Sequence, residues 1–349
     1  MAGAPPPPVV GEMMAPPFLL FDAGHNYQHA QYGIASRLQV DIGIDVLRNE
    51  YYRCFETPQG WVLLLDRRDR YTFLWRPQDR RKIHLSRMSN DPPRNCKCLL
   101  THKLSIDFDP CVVVILDLDR AQYWFCHVEE PRWQHRRYKL ATLDAEDRRQ
   151  NRNMARGVGI AAVGGKIYYE LGEHELGVLE FNPVHIKPMV TRIRVDMGMV
   201  SIPSGFSTWL RYFVESCDEL FLVILYFRPN CRRKVFRVAL YQMDFSASAW
   251  CKVDRIGDRV FLLCGDQSGL SRFGASCSAS DHGLNANRIY FFNHISHSQD
   301  TLHVFDLANK TEEVTIPFSI AVSPLCPPFW MLPTEDPNTS VQSNSTFCV

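Results

Sequence analysis

The sequence predicts an all-β protein, a single β-propeller of four-stranded antiparallel blades with six blades expected and five to seven compatible with the pattern. Aromatic residues make up 12% of the 349 positions, and 19 Gly and 22 Pro interrupt almost every stretch long enough for a helix. Strand-like runs reopen after a turn signal, the first four of them about fifty residues apart, the scale of one blade. Each run is followed, after a polar turn, by a second run rich in aromatic and β-branched residues, which is the pattern of a hairpin.

Taken in chain order, residues 1–17 are Pro, Ala, Gly and Met with little to pack, so a disordered leader is expected there. A propeller domain over residues 18–333 follows, and the polar, aperiodic residues 334–349 form an expected disordered tail. Within the domain, "FLLFDAG" through "YYRCFET" supplies material for one blade, and the strand at Phe18 to Phe21 is placed to complete the last blade and close the ring. The anchors are "GWVLLLD", "DPCVVVILDLD", "GGKIYYELG", "CDELFLVILYF" and "ANRIYFFN", with second runs "YTFLWRP", "AQYWFCHV", "LGVLEFNP", "KVFRVALYQMDF" and "TLHVFDL". A third element often follows, as in "RKIHL", "TRIRVDM", "AWCKVDRI" and "EEVTIPF". The best helical candidate, "LATLDAEDRRQNRNMAR", is short and polar and reads as a surface excursion.

Charge and composition exclude some classes of partner. Lys and Arg number 39 against 38 Asp and Glu, so no global field favours nucleic acid or an anionic membrane, and neither is expected as a partner. Arg67-Arg68, Arg80-Arg81-Lys82, Arg136-Arg137 and Arg232-Arg233-Lys234 are short clusters between apolar runs and read as solvated hairpin tips. The N-terminus has no secretory or transit pattern, and no apolar stretch reaches the length needed to span a bilayer. A cytoplasmic or nuclear location is therefore expected, with the 12 cysteines mostly reduced. Cys54, Cys111, Cys126 and Cys264 lie in or beside apolar runs and behave as small core residues there.

Motifs with chemical meaning fail on their own terms. The stretch "WCKVDRIGDRVFLLCGDQSGLSRFG" is a strand running into spaced glycines, Gly265, Gly269 and Gly274, as phosphate loops begin. A Walker loop needs a Gly-Lys-Ser/Thr, and a dinucleotide fingerprint needs a following helix; here the chain continues through Ser, Gly and Asn into another strand. These glycines are expected to end a blade strand and release a long Ser-rich loop before "NRIYFF". Cys96, Cys98 and His102 are three potential metal ligands where structural zinc wants four, and a strand is the expected reading. His127-Val-Glu129 lacks the Cys pair of a zinc deaminase. Asp281, His282 and Cys277 share a polar loop without a nucleophile signature. No catalytic, cofactor-binding or metal residue is assigned, and no cofactor is expected. Trp61, Trp75, Trp124, Trp133, Trp209 and Trp250 recur near strands and turns, where large rings fill the space between blades.

The C-terminal third resembles a plant family, the KIB-type β-propeller or domain of unknown function 295, found as the propeller associated with F-box proteins. The matching positions are Trp250, Val253, Ile256-Gly257-Asp258, Phe261 to Gly265, Asn287, Ile289-Tyr290-Phe291 and Val304-Phe305-Asp306-Leu307. "GWVLLLD", "GGKIYYELG" and "FLWRPQDRRKIHL" fit more loosely, the last with Arg76 in place of the family's Asn. The resemblance implies a plant protein and a propeller that recognises a target protein, without a catalytic set to transfer. Family members often carry an N-terminal F-box that docks to a Skp-type ligase subunit. Residues 1–17 offer no such helical segment, so a Skp-type partner is not expected. The expected function is a non-catalytic, monomeric protein-interaction module with an unidentified protein partner. The rival is small-molecule binding or enzymatic activity at the mouth of the propeller channel, which requires titratable groups with shifted pKa values there.

Overall fold

The computed structural model describes residues 15–22, 29–42, 44, 46–47, 51–93, 95–104, 110–120, 122–137, 159–172, 174–181, 188–196, 200, 208–228, 231–266, 272–294, 301–317 and 329–333. Six sheets follow one another around a ring. Blade 1 holds β1 (Phe18–Asp22), β2 (His29–Gly33) and β3 (Leu38–Ile42). Blade 2 holds β4 (Tyr52–Glu56), β5 (Val62–Asp66), β6 (Tyr71–Trp75) and β7 (Lys82–Arg87), innermost strand first. Blade 3 holds β8 (Cys96–Leu100), β9 (Val112–Asp117), β10 (Gln122–His127) and β11 (Gln134–Arg137). Blade 4 holds β12 (Ile160–Val163), β13 (Lys166–Gly172), β14 (Glu175–Glu180) and β15 (Met189–Arg194). Blade 5 holds β16 (Thr208–Ser216), β17 (Glu219–Arg228), β18 (Cys231–Asp244) and β19 (Ala249–Lys252). Blade 6 holds β20 (Arg259–Asp266), β21 (Arg272–Ser278), β22 (Arg288–His294), β23 (Thr301–Asp306) and β24 (Thr311–Thr315). The last strand, β25 (Phe329–Met331), returns to blade 1 as its innermost member.

The ring therefore closes, but not as expected. One C-terminal strand joins three N-terminal ones, with Leu19 opposite Trp330, rather than Phe18 to Phe21 completing the last blade. The arrangement ties the two ends of the chain into one sheet and covers the inner edge of β1 with β25.

The segment expected as a long Ser-rich loop is also corrected. Residues 272–278, "RFGASCS", form β21, the innermost strand of blade 6. It pairs antiparallel with β20, while β22 runs parallel to β20, so this blade has five strands and departs from simple antiparallel order. The anchor "NRIYFF" thus lies third from the axis rather than second. Small residues are required because inner strands crowd near the axis. A Cβ added at Gly274 would meet the Phe213 carbonyl oxygen at 2.7 Å, and one at Gly159 would meet the Phe213 ring at 2.7 Å. Phe213 of blade 5 is thus flanked by glycines of blades 4 and 6. Ser276 Oγ adds a hydrogen bond to the Glu215 carbonyl, 2.9 Å away.

Between blades lie six apolar cores, one for each contact of neighbours. Trp61 and Trp124 fill the one between blades 2 and 3, Trp250 that between blades 4 and 5, and Trp330 that between blades 6 and 1. Trp133 is partly buried, and its indole N–H donates to Thr72 Oγ1 across to blade 2 at 2.8 Å. Trp75 packs between blades 1 and 2, and Trp209 lies partly buried beside the blade 4–5 core. The tight hairpins have backbone reasons. Gly164 and Gly165 both have positive φ, 53° and 76°, as a two-residue primed turn demands. Several strand ends are aspartates that bind their own turns: Asp66 Oδ1 accepts the Arg68 N–H, and Asp117 Oδ1 accepts those of Asp119 and Arg120. The helical candidate at 140–156, the glycine at 269, most of the leader and the whole tail lie outside the described residues.

Candidate functional site

The residues singled out in the sequence go to separate places. β8 covers Cys96 and Cys98, which point into the blade 2–3 core with Cys111 and Cys126. Burial pushes the Cys96, Cys111 and Cys126 thiols up to about 12, so they stay protonated and inert. Glu129 accepts the Cys111 backbone N–H at 3.1 Å, a structural use that has nothing to do with His127. Among the described residues no three His, Cys, Asp or Glu side chains gather to hold a metal ion.

The polar turn after β21 is built around Asp258. Its carboxylate accepts the Ser280 hydroxyl at 2.5 Å, the Ser278 hydroxyl at 3.2 Å and the Ser280 N–H. Ser280–His282 forms a short 3-10 turn closed by Gly283 in the left-handed region. Burial lowers the His282 pKa and raises the Cys277 thiol to about 12, so at neutral pH this cluster holds neither an imidazolium nor a thiolate. It orders the chain between β21 and β22.

Sequence reasoning passed over Glu56, at the end of the inner strand β4. Its Oε2 accepts the Trp330 backbone N–H at 3.2 Å, so blade 2 holds the closing strand of blade 1. Trp330 in turn donates its indole N–H to the Leu263 carbonyl of blade 6 at 3.0 Å. Burial raises the Glu56 pKa to about 8, against the opposing pull of Lys97 and the Trp330 N–H. The Glu56 side chain keeps some accessible surface, yet the protein packed around it is dense enough for desolvation to dominate. A lone "E" at the end of an ordinary strand carries no sequence signal for this role. A second charged pair near the axis is Arg211 with Glu170, 2.5 Å apart and both largely buried, which joins blade 5 to blade 4.

At the end of the ring where blade-to-blade connections run, the β5–β6 turn carries Arg67, Arg68 and Arg70, all exposed. Arg68 makes a paired contact with Asp66 and lays its guanidinium over the Tyr51 ring, 4.6 Å from the centroid. The Arg68 contacts hold the Asp66 carboxyl below its usual range. Arg53 beneath donates to the Pro92 and Pro93 carbonyls, pinning the link from blade 2 to blade 3. Burial, with the charge of nearby Arg67 adding to it, lowers the Arg53 pKa.

Six blades with six inter-blade cores and a closing C-terminal strand define a six-bladed β-propeller. The sequence matches the KIB1-4 β-propeller family over residues 37–312, and the chain belongs to that family. No curated protein sequence matches the chain. Among solved structures it is similar to the WD40 domain of SCAP from fission yeast, at 10% identity over 84% of this chain and 82% of that one, TM-score 0.34. Apo AztD from Citrobacter koseri is similar at 9% identity over 87% of each chain, TM-score 0.33. A protein of unknown function from Bacteroides caccae is similar at 9% identity over 69% of this chain and 95% of that one, TM-score 0.29. At these values the likenesses bear on neither function nor partner. Among the described residues no helix is long and apolar enough to cross a membrane.

Proposed function

We propose that this KIB1-4 propeller is a non-catalytic protein-interaction module that engages its partner with the end of the ring where the blade-to-blade connections run. The observation that carries this is the asymmetry of the two ends. On one, the described strands leave gaps between blades of residues 43–51, 88–95, 138–159, 195–207 and 316–328, much of which lies outside the described residues. On the other, most turns are short, as at residues 57–61, 164–165, 217–218 and 245–248, with the blade 5-to-6 link at 253–258 and the longest stretch at 101–111. Binding residues concentrate on long connections held by a rigid scaffold, and here the scaffold is locked by six cores. The test is affinity purification with the tagged full chain and with a variant whose residues 138–159 and 195–207 are replaced by Gly-Ser linkers. A reproducible protein lost with the linkers is expected. No reproducible protein, or one retained by the linker variant, sinks the reading. Probing the eluate for a Skp-type ligase subunit tests a link to ubiquitination.

A second reading, a small-molecule site at the axis, draws on Glu56 and Lys97, whose side chains interact electrostatically and of which Glu56 is strongly shifted. It predicts a compound whose thermal stabilisation of the chain disappears in both Glu56→Gln and Lys97→Met. A compound library without such a hit counts against it.

A further inference from the structure

The near-neutral total of the chain conceals a charge separation. Residues 51–137, which make blades 2 and 3, hold sixteen Lys and Arg against eleven Asp and Glu, a net +5 in a chain whose total is +1. The fold then sorts those charges by depth. Asp66 and Asp117 are buried, 8% and 4% exposed, because each is consumed in the turn that follows its strand. Nearby arginines point outward: the side chains of Arg68 and Arg70 in the turn after Asp66, and of Arg87 at the end of β7, are 56%, 48% and 69% exposed. Arg67 and Arg120 are exposed beside them. Tyr51, 44% exposed, adds an aromatic ring with Arg68 over it. Of the exposed carboxylates on this rim, Asp69 and Asp91 meet Arg87 and Arg70 only loosely, at 3.5 and 3.9 Å, and Asp119, beside Arg120, accepts the Asn95 side-chain amide at 2.8 Å.

We infer that this rim of blades 2 and 3, centred on Tyr51, Arg67, Arg68, Arg70, Arg87 and Arg120, is the docking surface for an acidic segment of a partner protein. The inference rests on the interaction-module reading above and adds to it the docking sector and the partner's chemistry. Tyr and Arg are the residues enriched at binding hot spots. Guanidinium groups match carboxylates in paired geometry, and exposed ion pairs as loose as those of Arg70 and Arg87 are worth little, so an incoming carboxylate displaces them at small cost. An acidic peptide places its carboxylates one at a time between Asp69 and Asp91. A nucleic acid presents an unbroken line of phosphates that these aspartates repel, and the chain as a whole lacks the basic excess such a ligand requires.

The experiment measures fluorescence anisotropy of a labelled dodecapeptide of Glu, Gly and Tyr with the full chain. A single-stranded oligonucleotide and phosphatidylserine vesicles serve as competing probes. The expected result is peptide binding at low salt that weakens by about tenfold or more at high salt, where the Debye length contracts to a few ångströms. Arg67→Glu with Arg87→Glu is expected to weaken it by a similar factor, and Lys252→Glu on blade 5 with Arg255→Glu on the link to blade 6 to leave it unchanged. No peptide binding, equal binding by the Arg67/Arg87 variant, or tighter binding of the oligonucleotide or vesicles overturns the inference. Equal thermal transitions of the two double variants establish that both are folded. A partner captured by the unaltered chain and also by the Arg67/Arg87 variant overturns the docking sector while leaving the interaction module standing.

Discussion

Trp330 is the residue on which ring closure depends most directly, and its removal gives the sharpest test of the fold. It is 1% exposed, sits in the apolar core between blades 6 and 1, and belongs to a closing strand of only three residues. Its main-chain N–H is held by Glu56 of blade 2 and its indole N–H by the Leu263 carbonyl of blade 6. Trp330→Ala removes the whole ring and is expected to cost about 3–5 kcal/mol in lost packing and cavity. Loss of the indole hydrogen bond to the Leu263 carbonyl adds about 0.5–1.5 kcal/mol. Trp330→Phe keeps much of the packing and loses the hydrogen bond, so about 2–3 kcal/mol is expected. A domain of this size shifts its midpoint by roughly 2–3 °C per kcal/mol, which puts Trp330→Ala about 10 °C below the parent. Differential scanning fluorimetry reads both variants, and trypsin susceptibility near the termini reports whether the ring has opened. A shift under about 3 °C for Trp330→Ala would refute the closing role argued here. Equal losses for the two variants would show that the hydrogen bond, and not the packing, holds the strand.

Three further outcomes follow from the interior. Glu56 keeps its proton up to about 8 in the fold, whereas an unfolded Glu ionises near its ordinary value, so the folded state binds the extra proton and stability falls as pH rises from about 4.5 to 8. Glu56→Gln is expected to flatten that part of the thermal midpoint against pH curve; parallel curves for the two chains would contradict the shift. Gly274→Ala forces a Cβ to 2.7 Å from the Phe213 carbonyl oxygen and is expected to cost about 1–3 kcal/mol by chemical denaturation, while Ser278→Ala, at the far end of the same strand, stays within about 1 kcal/mol. Breaking the axial pair by Arg211→Met leaves Glu170 without its partner and should cost about 2–4 kcal/mol, with Glu170→Leu added to it restoring most of the loss. A double variant no better than the single would remove the pairing argument.

The strands legible in the sequence are those in the second and third positions of each blade. β5, β9, β13 and β17 are apolar on both faces because a blade lies on each side of them, and their runs of Val, Leu, Ile and Tyr announce them. The inner strands β12, β21 and β25 were not legible. They are short or built from Gly, Ala, Ser and Cys, and this is the composition of a loop unless the crowding at the axis is known. The basic turn at Arg67 and Arg68 was visible as a cluster, but only the burial of Asp66 beneath it turns a mixed-charge turn into a positive surface.

By itself the sequence determined the all-β class, the hairpin repeat and the family resemblance, because these depend on local alternation, turn chemistry and short motifs. The tertiary structure bore out the six blades expected from a range of five to seven, and it alone decided the return of β25 to blade 1 and the place of the glycine-rich stretch at Gly265 to Gly274. Those depend on which strand edges meet across hundreds of residues, a choice set by steric space at the axis and by packing between blades. The same distance separates Glu56 from Trp330, so their hydrogen bond exists only once the ring has closed.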